Sequence, residues 1–174
     1  MRVLGIIPAR GGSKGVPGKH LLAVAGRPLL AYTIDAARAS RLMSRVVLST
    51  DDAAIAEAGR SLGVEVPFMR PAHLAFDDTP MLPVLQHAVT AMEAEGFTAD
   101  AVALLQPTSP LRRPEHIDAA IALLSSTEAD SVVSVVEVPH QFSPGSLMRL
   151  DGDRLQPLTD EPPVLQRQHK SRLY

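Results

Sequence analysis

The segment PARGGSKGVPGKHL, residues 8–21, combines four glycines, two prolines and three cations. Glycine lets several backbone N–H groups turn toward one point, an arrangement that binds anions. Arg10 can form two parallel hydrogen bonds to a phosphate, and Lys19 supplies a compact point charge. No acidic residue precedes Asp35. We therefore expect a phosphate site here, with a solvated glycine loop as the alternative.

The segment matches neither of the two common nucleotide-binding patterns. A Walker A loop needs a glycine where Ser13 stands and a serine or threonine where His20 stands. The G-x-G-x-x-G pattern fails because Gly12 is followed by Ser13 and Lys14. The chain also lacks a nucleophile elbow, which argues against a hydrolase of that architecture.

Composition narrows the class of protein. The 174 residues carry 17 cations against 19 anions, a balance that argues against a nucleic-acid-binding surface. The absence of cysteine excludes disulfides and thiolate chemistry. No apolar run reaches the length of a membrane span and no signal peptide is visible, so we expect a cytoplasmic protein without a membrane partner.

Short apolar runs alternate with segments of helical period, which predicts an α/β fold: an open, mostly parallel sheet with helices on both faces. Strands are expected at residues 3–8, 45–50, 64–68, 100–106 and 130–138, helices at 28–40, 51–63, 81–96 and 113–126, and a hairpin with an Asp-Gly turn within 147–158. Ligands of such sheets bind beyond the carboxyl ends of the strands. The loops at residues 8–21, 70–79 and 106–113 are therefore the candidate site.

Several polar residues in these loops have both a functional and a structural interpretation. Thr108 or Ser109 could instead cap the following helix, as could Asp77 or Asp78. Arg112 could bind an anion or remain solvated. The pair Asp51–Asp52 is best interpreted as a helix cap, and Asp151-Gly152-Asp153 as a turn rather than a metal site.

Five segments together are similar to one family. IIPARGGSKGVPGKHL with GRPLLAYTIDAA behind it, then VVLSTDDAAIAEAGRSLGVEVPFMRPAHLAFDDT, LLQPTSPLR and ADSVVSVVEV resemble, in this order, the acylneuraminate cytidylyltransferases. The resemblance covers about residues 3–138. It implies a nucleotidyltransferase sheet that converts CTP and an acidic nonulosonate sugar into CMP-sugar and pyrophosphate.

The resemblance also implies roles for individual residues. It assigns catalysis to Arg10, Lys19 and Gln106, and contacts to the sugar to Gln106, His140 and Arg167. His20 stands where the family usually has an asparagine. The implied nucleotide contacts are Ala9, Arg10, Gly11, Gly12, Ser13, Lys19, His20, Arg70, Asp77, Thr108 and Ser109.

The same resemblance divides the chain into a nucleotide-binding domain, residues 1–138, and an irregular arm, residues 139–174, expected to join two copies into a homodimer. Nucleotidyl transfer normally uses Mg²⁺ held by carboxylates. The family's Asp-x-Asp metal segment has no counterpart here, so we assign no metal ligand within the chain and expect the Mg²⁺ ligands beyond its end. Transfer of another nucleotide or to another anionic acceptor stays open, as does a truncated, non-catalytic nucleotide-binding protein.

Overall fold

A computed structural model describes residues 1–159 and 173–174. The chain divides into two compact units, Met1–Val132 and Val133–Tyr174. The strands are β1 (Val3–Pro8), β2 (Ala23–Val24), β3 (Arg27–Pro28), β4 (Arg45–Ser49) and β5 (Ala101–Leu104) in the first unit, and β6 (Met148–Asp151) and β7 (Arg154–Pro157) in the second. The helices are α1 (Leu29–Ala39), α2 (Ala53–Ser61), α3 (Met81–Ala94) and α4 (Pro114–Ser126), with 3-10 turns at Ala72–Leu74, His140–Phe142 and Pro144–Ser146.

The main sheet of the first unit is parallel, in the order β4-β1-β5. Every residue of the central strand β1 is buried, as its unbroken apolar run predicts for a strand covered on both faces. Val3 and Ile7 belong to the core formed with α1, α2 and α4, whereas Leu4 and Ile6 pack in a second core with α3. The predicted α/β class, with helices on both faces of a parallel sheet, is confirmed.

The helices begin and end close to the predicted positions. Asp52 caps α2, because its side chain accepts hydrogen bonds from the N–H groups of Ala54 and Ile55. Pro114 is the first residue of α4, where its missing N–H is not needed. None of the helices in the described ranges is long and apolar enough to cross a membrane.

Three strand predictions need correction. Residues 64–68 contribute only an isolated bridge between Glu65 and Val47. Residues 130–138 form no strand, because no neighbouring strand in the described ranges offers them a hydrogen-bond ladder. The apolar run at residues 100–106 predicts a strand buried on both faces, but Val102 and Leu104 of β5 are 40% and 38% exposed. Because β5 is an edge strand, its Val102 and Leu104 lie beyond the part of the sheet that the second core, around α3, covers.

The second unit contains the predicted hairpin. Its strands β6 and β7 pair antiparallel around a turn in which Gly152 has a φ of 58°, a left-handed conformation that favours glycine. Asp151 and Asp153 flank this turn, as the sequence interpretation expected.

Candidate functional site

Two of the loops predicted to carry the site, residues 8–21 and 106–113, follow β1 and β5, whose carboxyl ends lie at one edge of the parallel sheet. The loop between them in sequence, residues 70–79, follows the segment that bridges to β4 at Glu65, and its Arg70 N–H donates to the Thr50 carbonyl just after β4 at 2.8 Å.

The first of these loops, residues 8–21, is anchored to the end of β4. The Ala9 N–H donates to the Ser49 carbonyl at 2.9 Å, and the Gly11 N–H donates to Oδ1 of Asp51 at 3.0 Å. The N–H of Ser13 donates back to the Gly11 carbonyl at 2.9 Å. These bonds define the shape of the start of the loop.

The loop keeps backbone donors for a ligand. Among the described residues, the N–H groups of Gly12 and Gly15 have no hydrogen-bond partner, and a Cβ added at either glycine would meet nothing within 4 Å. A bound anion could therefore approach this backbone closely. The Gly11 N–H is already engaged by Asp51, so the cradle predicted from the glycines has one donor fewer than the sequence indicated.

Two of the three cations of the loop are paired with an acid from the second loop. The carboxylate of Asp77 forms ion pairs with Arg10 and with Nζ of Lys14, the latter at 2.5 Å. Hydrogen bonds from Lys14 and Arg10 hold the pKa of Asp77 below its usual range. Asp77 therefore neutralises the two cations, Arg10 and Lys14, that a polyphosphate would need for binding to this loop. It does not cap α3, and neither does Asp78, because Pro80 occupies that cap position and no side chain caps the helix.

Arg70 is a buried cation at the end of β4. Its side chain donates from Nε to Oγ of Ser49 at 3.1 Å and from Nη2 to the Ser49 carbonyl at 2.5 Å, and its own N–H donates to the Thr50 carbonyl. Only 5% of the residue is exposed, and burial lowers the pKa of Arg70, an effect that the charge of Asp51 opposes. The described residues provide Arg70 with no ion pair. Such a guanidinium is suited to a ligand oxygen that arrives without water.

His20 lies among these cations and is uncharged. Burial, then the charges of Lys19, Arg70 and Arg10, lower its pKa to about 4. The residue is 4% exposed, and its Nδ1 has no partner within the described part of the chain. A neutral imidazole provides one donor and one acceptor, so it can contact a ligand without adding charge. His20 lies in a turn before β2 and not at the start of a helix, so helix entry does not explain its place in the site.

The third loop differs from its prediction in two respects. Neither Thr108 nor Ser109 caps α4, whose N-cap is Arg113. Arg112 is half-buried rather than solvated: its Nη2 donates to the Gln106 carbonyl at 3.2 Å, and its Nη1 has no partner among the described residues. Burial lowers the pKa of Arg112. Gln106, Thr108 and Ser109 are exposed at the edge of the sheet.

The structure brings together only part of the predicted set. Arg10, Lys19, His20, Arg70 and Asp77 interact by ion pairing or through their charges, together with Lys14. His140 begins a 3-10 turn of the second unit, and Arg167 lies outside the described residues.

Sequence reasoning missed two features of the site, the contact of Asp51 with the loop and the burial of Arg112. The acid pair at the end of a strand was a signal for Asp51, because only one of two adjacent acids can be the N-cap. No comparable signal marked Arg112.

The described residues contain no group of three or more His, Cys, Asp or Glu side chains that could hold a metal ion. Asp51 and Asp77, the acids that contact the loop, already accept from Gly11, Arg10 and Lys14. The described part of the site therefore does not fit a metal ion by itself.

Comparison with known proteins identifies the relatives of this chain. A family profile described as "Cytidylyltransferase" matches residues 4–149. The chain is 42% identical to CMP-N,N'-diacetyllegionaminic acid synthase of Legionella pneumophila, over 78% of this chain and 58% of that protein. It is 36% identical to N-acylneuraminate cytidylyltransferase of Escherichia coli, over 85% of this chain and 34% of that protein. The chain thus spans between a third and three fifths of these relatives.

A solved structure has the same fold. A CMP:2-keto-3-deoxy-manno-octonic acid synthetase complexed with CTP superposes with a TM-score of 0.62 at 25% identity, over 74% of this chain and 49% of that one. The segments that carry the phosphate loop, Arg70 and the third loop all fall within the residues matched by the family profile. The chain belongs to the cytidylyltransferase family, among the relatives of the acylneuraminate cytidylyltransferases.

Proposed function

We propose that this protein is a CTP-dependent cytidylyltransferase that activates an acidic nonulosonate sugar and releases pyrophosphate. The observation that carries the proposal is the cluster of Arg10, Lys19 and Arg70 around a neutral His20 at the carboxyl edge of a parallel sheet, with Lys14 joined to Arg10 through Asp77. The loop cations Arg10, Lys14 and Lys19 match a triphosphate, and the names of the relatives support cytidine as the nucleoside.

In the proposed reaction a hydroxyl oxygen of the sugar bonds to the α-phosphorus of CTP. The bond from that phosphorus to the oxygen bridging to the β-phosphate breaks, pyrophosphate leaves, and the hydroxyl proton passes to water. Negative charge accumulates on the phosphate oxygens during transfer, so positioned cations supply most of the catalysis. Arg10 and Lys19 have this role in the proposal, with the Gly12 amide as a further donor.

CTP binding requires Asp77 to release Arg10 and Lys14, since both cations are paired with that carboxylate in the structure. The triphosphate carries more charge than one carboxylate and can replace it. Arg70 and His20, whose surroundings exclude water, are then placed to contact the nucleoside. Gln106, Thr108 and Ser109 on the third loop are proposed to face the acceptor side, with His140 and Arg167 as further sugar contacts.

Mg²⁺ is the cation we propose to accompany CTP, and it would neutralise phosphate charge. Because the described residues offer no cluster of ligands for it, no step above is assigned to the metal. We also propose that the protein acts in the cytoplasm.

We further propose that the second unit forms a homodimer contact through the apolar face of its hairpin, defined by Met148, Leu150, Leu155 and Pro157. Residues paired across antiparallel strands share a face, and these four form two such pairs. Leu150 and Leu155 are 68% and 66% exposed. A two-stranded hairpin is marginal by itself, so covering this face would stabilise it. Leu150→Glu should then give monomers in sedimentation experiments, whereas Arg149→Glu on the opposite face should not.

The enzymatic proposal is tested by pyrophosphate release with CTP, Mg²⁺ and a panel of N-acylneuraminate, legionaminic acid and pseudaminic acid, with ATP, GTP and UTP as competing nucleotides. Lys19→Met should reduce the rate by about 100-fold or more. Arg27→Met is the matched control, because Arg27 pairs with Asp35 rather than with the site. If the protein bound CTP without releasing pyrophosphate, it would be a non-catalytic nucleotide-binding protein. If it bound all four nucleotides equally well, the specificity for cytidine would be refuted.

A further inference from the structure

Two adjacent acids at the end of β4 have different tasks. The Asp52 carboxylate accepts from the Ala54 and Ile55 N–H groups at 2.8 and 3.0 Å and so belongs to α2. The Asp51 carboxylate makes none of these cap bonds. It accepts the Gly11 N–H of the phosphate loop at 3.0 Å instead. A half-buried acid that reaches across to a neighbouring loop needs an explanation other than capping.

Of the four glycines in the phosphate loop, Gly11 is the one where an added Cβ would meet neighbouring atoms within 4 Å. A Cβ added to Gly11 would lie 2.7 Å from Oδ2 of Asp52, so the loop backbone lies directly against this end of α2. Gly11 follows Arg10, the cation that pairs with Asp77. A shift of the Gly11 amide would therefore move the guanidinium expected to meet the triphosphate.

Asp51 also acts on the second cationic element of the site. The Arg70 guanidinium is buried and donates only to Ser49 within the described part of the chain, and the charge of Asp51 opposes the lowering of the pKa of Arg70 by burial. The same carboxylate thus accepts a hydrogen bond from the phosphate loop and interacts electrostatically with the buried guanidinium. No other described acid combines these two interactions.

We infer that Asp51 is a positioning residue that orders the phosphate loop through the Gly11 amide. The inference rests on the proposed function in that this loop binds the triphosphate of CTP. A carboxylate repels a polyphosphate, so charge alone would make Asp51 unfavourable for binding. Its contribution comes from geometry, and a neutral group of the same shape should retain most of it.

The test compares Asp51→Asn, which keeps an oxygen acceptor of the same size, with Asp51→Ala, which removes it. Binding of inorganic tripolyphosphate and of CTP to the 174-residue chain is measured by titration calorimetry. Asp51→Ala should weaken both by about tenfold, the effect of losing one hydrogen bond that orders a site. Asp51→Asn should bind within about threefold of the parent protein.

Asp118 offers matched controls, because it also accepts backbone N–H groups, those of Arg41 at 3.1 Å and Leu42 at 3.2 Å, in a loop outside the site. Asp118→Ala should lower the melting temperature but leave both affinities unchanged. Hydrogen exchange of the Gly11 amide should accelerate by about tenfold in Asp51→Ala and not in Asp118→Ala.

The inference is overturned if Asp51→Ala binds tripolyphosphate as tightly as the parent protein, or if the Gly11 amide exchanges at an unchanged rate. Equal losses in Asp51→Asn and Asp51→Ala would also overturn it, because charge and not geometry would then be decisive. The proposed function can fail separately from this inference. If Asp51→Ala weakens tripolyphosphate binding but the protein neither prefers CTP nor releases pyrophosphate, the positioning role of Asp51 is supported and the proposed cytidylyltransferase activity is refuted.

Discussion

Gly11 and Gly12 are adjacent in the phosphate loop, but their surroundings predict opposite responses to alanine. A Cβ at Gly11 would lie 2.7 Å from Oδ2 and 2.9 Å from Cβ of Asp52, whereas one at Gly12 would meet nothing within 4 Å. Neither glycine has a positive φ, so backbone strain is the same minor factor for both. The difference between the two variants therefore reports only on packing.

The magnitude follows from what must move. Ordinary van der Waals contact begins at about 3.4 Å, so Gly11→Ala needs a displacement of about 0.7 Å. If Asp52 yields, the cap of α2 weakens, which costs about 1 kcal/mol. If the loop yields, the Gly11–Asp51 hydrogen bond is lost, which costs a similar amount. With residual overpacking we expect Gly11→Ala to lower the free energy of unfolding by about 1–3 kcal/mol.

Gly12→Ala should be neutral, or stabilising by about 0.5 kcal/mol, because it restricts the unfolded chain without meeting a neighbour. Urea unfolding followed by circular dichroism measures both variants under the same conditions. If Gly11→Ala proved as stable as Gly12→Ala within about 0.5 kcal/mol, the loop would not be pinned against α2, and the reasoning would be refuted.

Three further predictions concern the charged residues of the site. His20 has a lowered folded-state pKa, so the unfolded chain binds its proton first, and stability should fall as the pH drops from about 6.5 toward 4. Between pH 7 and pH 5, urea unfolding should show that His20→Asn loses about 2 kcal/mol less unfolding free energy than the parent protein. If the unfolding free energies of both proteins depended on pH in the same way, His20 would not be a neutral buried imidazole. Asp77→Asn should tighten CTP binding about two- to fivefold in calorimetry, because the triphosphate no longer displaces a carboxylate, while weaker binding would indicate that Asp77 contacts the nucleotide. Arg70→Lys keeps a charge but loses the paired bonds to Ser49, so we expect about 1–3 kcal/mol lower stability in urea unfolding, and unchanged stability would show that those bonds contribute nothing.

Local periodicity was a good predictor where an element's burial depends on its own sequence. The unbroken apolar run of β1 and the helical spacing of α1 indicated elements that the structure contains. Residues 130–138 show where this fails. Their valines suit a strand, but a strand exists only when a neighbour supplies hydrogen bonds, and sequence spacing does not reveal the neighbour.

The candidate site shows the same division. Glycines and cations after a strand indicated a phosphate loop because backbone freedom and charge are local properties. The partner of the cations could not be predicted, since Asp77 comes from a loop distant in sequence. Of the adjacent Asp51 and Asp52, sequence indicated a cap but not which acid would form it or what the other would contact.

The sequence by itself determined that the chain folds around a buried parallel strand followed by a cationic, glycine-rich loop, because apolar continuity, backbone freedom and charge belong to the residues themselves. Tertiary structure alone decided that His20 is neutral, that Arg70 is buried against Ser49 and that the Gly11 amide is held by Asp51. Protonation and pairing depend on the distance to other charges and to water, and folding sets those distances.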